Sequence, residues 1–138
     1  MAELAKQFVT AGIDARYAGY FALFNQQKFY EAHDMLEDLW LPDRHGPNGN
    51  FYKGLIQLAG AFVHLQKGRF GPAAALFRLS RKNLEPYPPV HEKLDRVHVL
   101  KLVDERLHWL ERGEGKGEID DNWLYPKIRL ETGPLACQ

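Results

Sequence analysis

The sequence predicts an all-α protein: a compact bundle of about five helices, arranged as two helical hairpins plus a closing helix, with an extended C-terminal tail. Three observations predict it. Apolar residues recur at three- and four-residue steps over most of the chain. No segment sustains the two-residue alternation of a half-buried strand. Pro, Gly and Asn cluster where such helices would have to turn. At 138 residues the chain is one domain by length, large enough to bury a real core but not two. We place the helical domain at 1–112 and a linker with an apolar tail at 113–138.

The first helix is expected over Ile13 to Phe24, with Asp14 as a cap and Tyr17, Tyr20, Phe21 and Phe24 on one face. The second covers Lys28 to Leu41 and is stopped by Pro42. The breaker-rich loop PDRHGPNGN follows. The third helix, Phe51 to Gln66, is apolar almost all round and is expected to be the central, buried one, closed by Gly68. The fourth starts at Gly71-Pro72, where proline suits a first helical turn, and runs to Leu84 before Pro86, Pro88 and Pro89. The fifth begins near Val90 and shows a stripe of Val90, Leu94, Val97, Leu100, Val103, Leu107 and Leu110, closing at Gly113.

Past the glycine-rich linker GEGKGEIDD, the piece WLYPKIRL carries Trp123, Leu124, Tyr125, Ile128 and Leu130 around a proline. It reads as non-helical, and so apolar a segment is expected to lie back in extended form on the helices or on a second subunit. A weak internal repeat places FALFNQQKFYEAHDML over FVHLQKGRFGPAAALF, 41 residues apart, pairing Phe21 with Phe62, Phe29 with Phe70 and Leu36 with Phe77. Two such units are too few for a solenoid, so a compact bundle is the better reading.

Lys plus Arg equals Asp plus Glu at 18 each, which gives no electrostatic reason to expect nucleic acid or an anionic membrane as a partner. The single cysteine, Cys137, can form no intrachain disulfide, which suits a reducing compartment. The start lacks the apolar core of a signal peptide, and no run approaches the roughly 18 apolar residues of a membrane span. A cytoplasmic protein is expected.

The repeat accounts for the apolar skeleton but not for the polar residues of FYEAHDMLEDLW. His33, Glu37 and Trp40 share one edge of the second helix with Tyr30, while Glu31, Asp34 and Asp38 point to solvent. On the third helix Gly54, Gln57, Ala61 and His64 share a face whose small residues would let another helix approach closely. Setting that face against the polar edge of the second helix would join His33, Glu37, Gln57 and His64 in one buried network, rimmed by Tyr30 and Trp40. A buried Glu37 would then need a cation, a metal ion or a proton. One reading is a structural histidine–carboxylate pair. Another is a metal or catalytic site with His33, Glu37 and His64 as ligands. A third is a pocket that uses the same residues as hydrogen-bonders. HDMLE departs from the zinc-protease pattern H-E-x-x-H at both changed positions, which argues against a protease. The basic side of the fourth helix (Arg69, Arg78, Arg81, Lys82) reads as a solvated face.

FNQQKFYEAHDMLEDLW and FYKGLIQLAGAFVHLQKGRFGPAAALF together resemble the small helical proteins classed as domain of unknown function 309. The pattern is carried by Tyr30, Glu31, His33, Asp34, Glu37 and Trp40, then Gly54, Gln57, Ala59, His64 and Gly68, within Phe21 to Leu84. The resemblance implies a compact helical domain and gives weight to the His33–Glu37–Gln57–His64 cluster, but it implies no activity. Two function classes follow. The first is a binding or interaction module. The second is a metal-dependent enzyme, expected to be a hydrolase, with His33, Glu37 and His64 as ligands and Asp34 or Glu31 as a candidate base. A divalent metal is the one cofactor the second class would need. The partner is an unidentified protein or small molecule, and the tail and the fifth-helix stripe leave room for a homodimer.

Overall fold

A computed structural model describes residues 13–113 and 120–131; Cys137 and linker residues 114–119 lie outside them. In chain order the elements are α1 (Ala15–Asn25), α2 (Phe29–Trp40), a 3-10 turn (Leu41–Asp43), α3 (Gly49–Gln66), α4 (Phe70–Leu84), the two-residue strands β1 (Val90–His91) and β2 (Leu94–Asp95), α5 (Arg96–Glu111) and α6 (Asp121–Leu124). The all-helical fold is the predicted one. Each of the first four helices packs on the next in sequence, most extensively α3 on α4, and α5 closes against α4.

Local chemistry sets the helix ends. The Asp14 carboxylate accepts a hydrogen bond from the Arg16 amide at 2.8 Å, satisfying a first-turn donor of α1. Gly68, at φ +69°, lets the chain leave α3 so that the Arg69 amide reaches the His64 carbonyl at 2.8 Å. Gly113 does the same service after α5, at φ +72°.

The core is aromatic. Phe62 on α3 is its hub, stacked on Phe29 at 5.0 Å and edge-on to Phe24 and Phe77 at 5.4 and 5.2 Å. Burial in α3 is as expected, but α1 is buried just as thoroughly, over Tyr17 through Phe24. Two tyrosine hydroxyls show what encloses it. Tyr20 donates to the Leu55 carbonyl of α3 at 2.5 Å, and Tyr17 to the Glu92 carbonyl of the β-turn at 2.7 Å.

That β-turn is the main departure from the expected elements. Val90 does not begin a helix. Val90 and His91 pair antiparallel with Leu94 and Asp95 across a tight turn in which Glu92 and Lys93 both take positive φ, 48° and 58°. The helix starts only at Arg96, where Asp95 caps the His98 amide at 3.0 Å. The apolar stripe shifts accordingly. Val90 and Val97 are exposed, and Val99, Leu100, Val103 and Leu107 are buried. His91 thus belongs to a strand, bonded through Nε2 to the Asn48 side chain at 2.7 Å.

The tail is a second departure. Asp120 caps one helical turn, α6, so Trp123 and Leu124 are helical rather than extended, and the chain is irregular only from Tyr125 onward. Leu124, Ile128 and Leu130 are buried in the same core as the helices, and Tyr125 lies 5.6 Å from Phe29.

The α3–α4 contact is close because α3 offers glycines there. A Cβ on Gly54 would meet the Leu84 side chain at 2.8 Å, whereas one on Gly60 would meet only Leu76 at 3.2 Å. Gly54→Val is therefore expected to lower the unfolding free energy by between about 1 and 2 kcal/mol through overpacking against a fully buried leucine. Gly60→Ala should change it by less than about 1 kcal/mol, Leu76 having room to shift. Urea unfolding of the two variants checks this; an unchanged midpoint for Gly54→Val would show slack between α3 and α4.

Candidate functional site

Helix α2 divides into two faces. Phe29, Ala32 and Leu36 are buried against the neighbouring helices, and Met35 covers Gly19 of α1. The other edge carries Tyr30, His33, Glu37 and Trp40, with Glu31, Asp34 and Asp38 beyond it in solvent.

Tyr30 is 60% exposed, and its ring lies nearly parallel to that of His33 at 6.2 Å. His33 is half-buried and has a carboxylate at each ring nitrogen. Nδ1 is 3.1 Å from Asp34 Oδ1, and Nε2 is 3.9 Å from Glu37 Oε2. The nearer partner is the adjacent residue, not the one a helical turn away. A neutral imidazole donates to only one of them, while the imidazolium serves both. Glu37 is half exposed, so water solvates its charge. Among the described residues, Glu31, Asp34 and Glu37 form no ion pair with a lysine or arginine. At the end of the edge the Trp40 indole Nε1 is buried without a hydrogen-bond partner. A buried donor left in that state costs about 1–3 kcal/mol.

The expected four-residue network does not form. Gln57 turns to α4, where its Oε1 accepts a hydrogen bond from the Asn83 amide at 2.7 Å. The small-residue face of α3 was correctly read as a close contact, but its partner is α4 rather than α2. Ser80 of α4 seals it by donating to the Gly54 carbonyl at 2.7 Å. His64, on that same face by spacing, makes no hydrogen bond with His33 or Glu37, and its Nδ1 is buried without a partner. His33, Glu37 and His64 are not brought together as ligands, and no group of three His, Cys, Asp or Glu among the described residues is placed to hold a metal ion.

Four polar residues that matter to the structure were not singled out from the sequence: Asn25, Ser80, Asn83 and Arg106. Arg106 had a signal. It falls between Val103 and Leu110 on the apolar stripe of α5, where a charge is out of place. Asn25, Ser80 and Asn83 had none beyond being polar in a helix.

Fold and site together define a small helical domain with a solvent-facing, acidic and aromatic helix edge. Residues 17–76, from α1 into α4, match the family model described as domain of unknown function (DUF309). No curated protein and no solved structure matches the chain. No helix among the described residues is long and apolar enough to cross a membrane.

Proposed function

We propose that the protein is a non-enzymatic interaction module and that the outer edge of α2 docks a basic segment of a partner protein. The observation that carries this reading is the pairing of an exposed aromatic with unneutralised carboxylates. Tyr30 stands 60% exposed beside Glu31, Asp34 and Glu37, which pair with no lysine or arginine among the described residues. An aromatic anchor with a rim of like charge suits a surface that waits for a cation-bearing chain. His33 stands between the carboxylates of Asp34 and Glu37. A cytoplasmic setting agrees with the lone cysteine, Cys137.

The test is affinity capture with quantitative mass spectrometry, comparing the native chain, a Tyr30→Ala/Glu37→Lys double variant and an Arg78→Glu control on α4. The double variant alters only exposed side chains and should change stability by less than about 1 kcal/mol. It should lose a partner that the control retains, and capture of that partner by the native chain should weaken as salt rises. Equal capture by all three proteins would reject the α2 edge. A large stability loss in the double variant would assign these residues to the fold instead.

A further inference from the structure

The chain holds its own tail by a device that reads main chain rather than side chain. Asn25, the last residue of α1, uses its amide in both directions on one tail residue. Nδ2 donates to the Ile128 carbonyl at 2.8 Å, and Oδ1 accepts from the Ile128 amide at 2.7 Å. Arg106 of α5 is 2% exposed, and its guanidinium donates to the carbonyls of Trp123 and Leu124 while lying 4.5 Å over the Trp123 ring. The Lys93 carbonyl in the β-turn accepts from the Glu131 amide. Between these holds, Leu124, Ile128 and Leu130 are buried, and Tyr125 covers the Phe29–Phe62 pair.

A two-way amide bond to one residue is how proteins hold extended peptides of varied sequence, with apolar pockets selecting the side chains, and the forked cation on the Trp123 and Leu124 carbonyls holds the end of the helical turn before the extended part. An apolar tail could be held by its pockets alone. Burying a guanidinium to grip main chain, with Glu105 at 3.4 Å as its one carboxylate partner among the described residues, is an expensive way to fix a segment in place.

We infer that the groove formed by Asn25, Phe29, Phe62, Lys93 and Arg106 is a peptide-recognition site that the chain keeps filled with its own residues 120–131. The competing occupant is a segment of a protein partner that makes one helical turn, continues extended, and presents apolar side chains in the spacing of Leu124, Tyr125, Ile128 and Leu130. This site is separate from the α2 edge, so the two proposals fail independently. Filling in cis sets a threshold. A tethered ligand competes at an effective concentration in the millimolar range, so only a well-matched segment displaces it.

The probe is a labelled synthetic peptide of residues 120–131 with the native sequence. Ile128→Asp in the full chain weakens the internal ligand and leaves the groove intact. That variant should bind the peptide at least about tenfold more tightly than the native chain does, and the peptide should raise its melting temperature. Adding Asn25→Ala to the same chain should abolish the gain. A folded Ile128→Asp chain that ignores the peptide would overturn the inference. A second experiment replaces residues 114–119 with a protease recognition sequence and cuts the folded chain there. Displacement of the cut segment by about a hundredfold excess of peptide supports a peptide site. A segment that cannot be displaced, or a core that unfolds on cutting, would make the tail an ordinary part of the core and end the proposal.

Discussion

Replacing Arg106 by methionine is expected to lower the unfolding free energy by about 3 kcal/mol. Methionine fills the space but leaves the carbonyls of Trp123 and Leu124 without the guanidinium that donates to them, at about 1–3 kcal/mol for each that cannot reach water. Relief from burying a cation offsets part of this loss. Arg106→Lys should recover less than half of it. An ammonium is a point donor on a flexible stem and cannot fork to two successive carbonyls while stacking on Trp123. Urea unfolding gives the magnitude, and near-ultraviolet circular dichroism of Trp123 reports whether the tail has left. A methionine variant as stable as the native chain would mean that Leu124, Ile128 and Leu130 hold the tail without help.

Stability should also fall as pH rises past about 10. Burial raises the hydroxyl pKa of Tyr17 and Tyr20 well above the ordinary 10.0, and raises those of Tyr52 and Tyr125 in the same direction. For an acid whose folded pKa lies above its unfolded one, the stabilisation is complete below the unfolded pKa. It is lost as pH rises past that value, because the unfolded chain then releases protons that the folded chain keeps. Each such group contributes a loss approaching about 1.4 kcal/mol per pH unit. Arg106 acts the other way. Desolvation lowers its pKa to about 10, so above that value the unfolded chain binds the extra proton and stability gains. One arginine offsets one tyrosine, and four tyrosines are shifted. Unfolding free energies at three alkaline pH values check the slope, and absorbance titration should show the phenolates of Tyr17 and Tyr20 appearing together with unfolding. Ionisation of these residues in a chain that remains folded would contradict the burial argument.

How far the sequence could be read differs between fold and site. The helices of the bundle were legible because each writes its own apolar period, cap and stop within a dozen or so residues: Asp14 and Gly68 do what their residue types do anywhere. The start of α5 was not legible. The stripe from Val90 to Leu110 keeps helical spacing through the turn, and nothing in HEKL announces that Glu92 and Lys93 accept left-handed backbone without glycine or asparagine. The hairpin forms because tertiary partners hold it, through Tyr17 on the Glu92 carbonyl and Glu131 on the Lys93 carbonyl.

In the candidate site, the exposure of Glu31, Asp34 and Asp38 and the shared edge of Tyr30, His33, Glu37 and Trp40 followed from one helix considered alone. The partners did not. Helical spacing says that Gln57 and His64 share a face with small residues, but not which helix arrives there. That choice fell to α4 because Ser80 and Asn83 hydrogen-bond to Gly54 and Gln57 there and Leu84 fits over Gly54.

By itself, then, the sequence determined what is local: an all-helical chain, where most helices begin and end, and which edge of α2 is polar. Only the tertiary structure decided what is relational: that Gln57 belongs to α4, that Glu37 stays in water, and that Arg106 and Asn25 clasp the tail. The physical reason is range. Periodicity and capping act over a few residues along the chain, whereas the pairing of buried polar groups is settled between residues as distant as Asn25 and Ile128, by whichever arrangement leaves the fewest of them unsatisfied.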